Sequence, residues 1–203
     1  MALRRLSTSS IQTNGKSSKL WDQETTLGTF ESIATATVDS SGASTISFSN
    51  IPQNYAHLQL RIVCKNTSTP NIGDFASLRF NSDSGMNYTY HRLKGDGSSL
   101  TAYGAATGTF DAVTLERIAT SRSATFATEE HGVVISDILD YTNTNKYTTT
   151  RSLGGYDSNG QGEVLLMSSL WLNTNAVTSI TLTTPEVNFA QYSQFALYGI
   201  RGA

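Results

Sequence analysis

From Phe30 to its end the chain repeats one pattern: short runs of alternating apolar and polar residues, separated by glycine, asparagine, proline and serine. A two-residue repeat sends successive side chains to opposite faces of a strand, whereas a helical face repeats near 3.6 residues. In "YAHLQLRIVCKN" Leu58, Leu60, Ile62 and Cys64 fall on one face and His57, Gln59, Arg61 and Val63 on the other. "STISFSNI" sets Ile46 and Phe48 against serines and ends at Pro52, and "DFASLRFN" sets Ala76, Leu78 and Phe80 against Phe75, Ser77 and Arg79. "FESIATATV" alternates with a one-residue slip at Ser32 and Ile33. Two hairpins are expected: "GVVISDILDY" with "KYTTTRSLGGY" around "TNTN", and "EVLLMSSLWL" with "VTSITLTT" around "NTNA". "SQFALYGIRGA" closes the chain as a last strand, and no segment carries a capped amphipathic helix.

About ten short strands with regular turn signals predict an all-β fold, either a sandwich or a barrel. Connections long enough to cross between sheets favour a jelly-roll-like antiparallel β-sandwich over an immunoglobulin-like one. No fixed-period repeat points to a propeller or β-helix. Charged residues make up only 15% of the chain, so serine and threonine supply much of its polarity, and threonine suits a half-exposed pleated surface.

The 203 residues suffice for one large β-domain, placed at 29–203. Residues 1–28 read differently. Leu3, Leu6, Ile11, Leu20 and Trp21 are isolated among serine, threonine, glycine and lysine, with no sustained period. Such a segment buries too little apolar surface to fold alone. It is expected to be an extended N-terminal docking arm in which these five anchors are gripped by a partner.

A net charge of −2 and a pI near 5.9 leave no electrostatic footprint for nucleic acid. The single cysteine, Cys64, excludes an internal disulfide and a multi-cysteine zinc site, and its strand context marks it as a small buried hydrophobe. No apolar run is long enough for membrane insertion, and "MALRRLSTSS" lacks the apolar core of a secretory signal.

Chemistry-bearing side chains concentrate in "FNSDSGMNYTYHRLKGDGSS". "NSDSG" has the alternating oxygens of a calcium loop but neither the distal glutamate nor flanking helices, so a surface turn is expected. His91 follows two tyrosines on an alternating run, with no nucleophile elbow anywhere and with Asp83 and Asp96 beyond turn residues. Glu129 and Glu130 are adjacent and face opposite ways on a strand, while Asp137 and Asp140 bracket a strand end without the specificity of a glycosidase pair. No catalytic residue, metal ligand or cofactor is assigned. Tyrosine beside aspartate and asparagine suits a sugar platform or a protein interface, which makes Asp83, Tyr88, Tyr90 and His91 a candidate surface-binding rim.

Several phrases bear a resemblance: "FESIATATVDSSGASTISFSNIPQNYAHLQLR", "FNSDSGMNYTYHRLKGDGSS", "DILDYTNTNKYTTTRSLGGYD", "LWLNTNAVTSITL" and "FAQYSQFALYGIRGA". Together they resemble small virion structural proteins of tailed phages, of the kind that infect cyanobacteria and aquatic bacteria. "IPQNYAHLQLR" and "SQFALYGI" are the most specific parts, and "SIQTNGKSSKLWDQ" resembles the arm of such proteins. The resemblance implies a non-enzymatic part of the particle exterior, assembled in the host cytoplasm. A capsid decoration (cement) protein is expected first, and a tail fibre or baseplate module that binds a host surface glycan second. The implied partners are the major capsid protein or tail proteins. A homotrimer is expected as well, because few lysines guard the candidate edge strands and neighbours must cover them.

Overall fold

The computed structural model describes residues 29–67, 75–110, 113–116, 130–158, 161–184 and 187–202. The arm, with Leu3, Leu6, Ile11, Leu20 and Trp21, lies outside the described residues, as does Glu129. The described elements are all strands: β1 (Phe30–Thr37), β2 (Thr45–Phe48), β3 (His57–Cys64), β4 (Phe75–Phe80), β5 (Tyr88–Gly95), β6 (Leu100–Phe110), β7 (Val113–Glu116), β8 (Gly132–Leu139), β9 (Thr148–Ser158), β10 (Gln161–Trp171), β11 (Ile180–Thr183) and β12 (Gln194–Ile200).

They form two antiparallel sheets, a large one ordered β1-β12-β3-β8-β9-β10-β5-β6 and a small one ordered β2-β11-β4-β7. Eight of the strands make a jelly roll. The first and last lie side by side, the second pairs with the penultimate one, and the chain crosses repeatedly between the sheets. Two further hairpins, β5–β6 and β9–β10, extend the large sheet beyond β8.

The core sits between the sheets. Leu58, Leu60, Ile62, Phe195 and Leu197 of the large sheet face Ile46, Phe48, Leu78, Phe80, Ile180 and Leu182 of the small one. Full burial of each such side chain contributes about 1.5–3 kcal/mol. These are the inward residues that the alternation selects in β2, β3 and β4. Cys64 joins them, and its burial pushes the thiol well above its ordinary range. The slip expected in β1 is a register shift between Ser32 and Ala34 against β12.

One expected pairing fails. β8 and β9 form the first hairpin, but "EVLLMSSLWL" and "VTSITLTT" do not form the second. β10 pairs with β9 and β5, whereas β11 pairs with β2 and β4 in the other sheet. The segment between them carries the chain across the sandwich instead of turning it back. Asn81 fixes that path: its amide donates to Ala176 O (2.8 Å), and its Oδ1 accepts from Thr178 N (2.8 Å) and Ser179 N (3.2 Å).

Candidate functional site

The polar stretch 80–99 is the end of β4, a turn, β5 and a second turn. Asn81 and Ser82 both adopt left-handed backbone, at φ 51° and 56°, a conformation that asparagine tolerates better than most residues. Asp83 then gathers donors. Trp171 Nε1 donates to its Oδ2 at 2.7 Å, Asn87 Nδ2 at 3.1 Å, and Gly85 N to its Oδ1 at 2.8 Å. Partial burial alone would raise this carboxyl, but the hydrogen bonds from Trp171, Asn87 and Gly85 outweigh it and hold the group below its ordinary value. Tyr88 stacks near Trp171, and its hydroxyl accepts from Phe80 N at 3.1 Å. The turn is therefore a clamp that seats the buried indole of Trp171 at the end of β10.

The four rim candidates do not share one surface. Tyr88 and Tyr90 are 1% and 5% exposed and point into the molecule, so neither offers its ring to a ligand. His91 is the next residue on the strand and points to the opposite face, with its ring over Gly104 of β6. Asp83 is spent in the clamp. The other acids separate too: Asp137 accepts from Gln59 Nε2 at 2.8 Å, while Asp140 pairs with Lys146 in the β8–β9 turn.

What the large sheet does present is its outer face. Cross-strand register aligns Val63, Val133, Gly155, Val164, Gly95 and Leu100 in one row across β3, β8, β9, β10, β5 and β6. The next row holds Arg61, Ile135, Leu153, Leu166, Leu93 and Ala102. Eight of these twelve are large apolar residues left exposed, from 44% at Val63, Ile135 and Leu93 to 71% at Leu100. A third row is polar: Gln59, Asp137, Arg151, Ser168, His91 and Gly104. On the far side of the apolar band lie Asp96 and the exposed Asp157. A contiguous apolar patch of this kind marks an interaction surface. The face is open, with two concavities of about 730 and 700 Å³, one beside His91 and Leu166 and one beside Val63 and Leu153, and it lacks the enclosed convergence of polar groups that defines a small-molecule site.

The alternation of β3 puts Val63 among polar neighbours and hides its part in this band. The signal lies in "EVLLM" and "GVVI", where consecutive apolar residues send hydrophobic side chains to both faces of one strand. No family model, curated protein or solved structure matches the chain.

Proposed function

We propose that the protein is a non-enzymatic structural component of a tailed-phage particle, a decoration (cement) protein on the capsid exterior whose residues 1–28 dock onto a capsid protein. The apolar band carries this reading: eight exposed apolar side chains on an open sheet face suit burial against protein, not turnover of a substrate. Jelly rolls serve capsid and lectin domains alike, so the fold does not choose between the two. The resemblance of the phrases quoted above to phage virion proteins supports the first.

A host-glycan-binding module of a tail fibre or baseplate is the second reading. It is favoured by the polar row of Gln59, Asp137, Arg151, Ser168 and His91 beside the band, which offers hydrogen-bonding groups on an open surface. Quantitative mass spectrometry of washed phage particles separates the two. A copy number matching the capsid lattice supports decoration, and one matching the rotational symmetry of the tail supports the fibre module. Absence from the particles overturns both.

A further inference from the structure

We propose that the apolar band is a contact between two copies of this chain, related by a two-fold axis that runs along the rows and crosses β9 at Gly154. The sequence of β9 motivates the axis. Its outward residues are Arg151, Leu153, Gly155 and Asp157, with Arg151 and Asp157 both exposed. Rotation about Gly154 sets Arg151 of one copy opposite Asp157 of the other at each end. It sets Leu153 opposite Gly155, where a projecting side chain meets a position without one. On the adjacent strands the same operation sets Leu166 opposite Val164 and Ile135 opposite Val133, apolar against apolar, while at β3 it sets Arg61 opposite Val63. A two-fold contact must be self-complementary in this way.

Size agrees as well. Six strands about 4.8 Å apart and four rows about 6.8 Å apart cover roughly 800 Å², about one partner's share of a standard stable interface. Other occupants fit less well. Residues 1–28 carry seven large apolar residues, Met1, Leu3, Leu6, Ile11, Leu20, Trp21 and Leu27, with no strand period to match the rows of the band. A glycan would find no hydrogen-bonding side chain in the two rows other than Arg61. A membrane surface would be repelled along the edge that carries Asp96 and Asp157.

The contact is read on the isolated protein, so it stands or falls separately from the virion reading. Sedimentation equilibrium of the full chain at micromolar concentration is expected to give twice the chain mass. Arg151→Asp and Asp157→Arg should each weaken association about tenfold or more, since each places like charges opposite one another. The double variant should return close to the parent affinity, because the swapped charges again face each other. Leu153→Lys should give a monomer with unchanged circular dichroism. A monomeric or trimeric parent overturns the proposal, and so does a charge-swapped double variant no tighter than the single ones. If Leu153→Lys fails to fold, the charge swap still decides, because both of its positions are exposed.

Discussion

Asp83 bears more of the fold than a residue in a surface turn usually does. It is the acceptor for Trp171 Nε1, and Trp171 is only 1% exposed. Asp83→Ala leaves that buried donor unpaired and releases Asn87 and Gly85 as well, at a cost of about 1–3 kcal/mol. A urea unfolding curve should show the midpoint falling with an unchanged slope. The same carboxyl shapes the response to acid. The bond from Tyr55 also lowers Glu31, and the bond from Lys146 lowers Asp140. A carboxylate depressed in the folded state stabilises it above the unfolded value and loses that contribution as pH falls through the folded value. Stability should therefore hold from neutrality down to the ordinary carboxylate range, near 3.8 for aspartate, and drop below it. Thermal melts across that range check the sign. Composition made this stretch conspicuous without revealing its role, because a clamp and a binding site draw on the same aspartate, asparagine and tyrosine. Nor does adjacency help: Tyr90 and His91 are neighbours in sequence and point to opposite faces.

Inward faces were legible strand by strand, because the alternation records burial directly. Ala76, Leu78 and Phe80 are all fully buried, as the spacing in β4 requires. Partnership between strands was less legible. "NTNA" has the composition of a hairpin turn, yet what decides its path is Asn81, nearly a hundred residues away in sequence. Only tertiary contact supplies that information. A close approach in β12 is equally invisible to the pattern. Gly199 packs under the Tyr55 ring, and a Cβ there would lie 2.4 Å from it. That ring holds its hydroxyl on Glu31 at 2.8 Å and lies beneath the Arg201 guanidinium. Gly199→Ala must push Tyr55 aside and disturb both contacts, and about 1–3 kcal/mol of stability should be lost. Denaturant titration measures it, and Tyr55→Ala in the same background should recover part of the loss.

At the scale of the whole molecule, the described core is drawn from the strands β1 to β12 and the segments between them. On the decoration reading proposed above, deleting residues 1–20 should leave the melting temperature nearly unchanged while abolishing incorporation into phage particles. Calorimetry and a particle co-sedimentation assay test the two halves of that expectation separately. Full occupancy by the truncated protein would place docking on the sandwich itself.

The first and last strands of the jelly roll also govern how the domain answers force. β1 and β12 are antiparallel neighbours, with Phe30 opposite Ile200 and Arg201 N donating to Thr29 O at 2.9 Å. Both ends of the domain thus leave from one corner. Tension applied between them would break the β1–β12 ladder one rung at a time, like a zipper, and never load its hydrogen bonds together in shear. Pulled by its two ends, the domain should yield at low force. Gripped instead at residue 29 and at the Asp96–Ser99 turn beyond β5, it should resist far more, because these points lie at opposite ends of the strands and the load then shears the ladders between them.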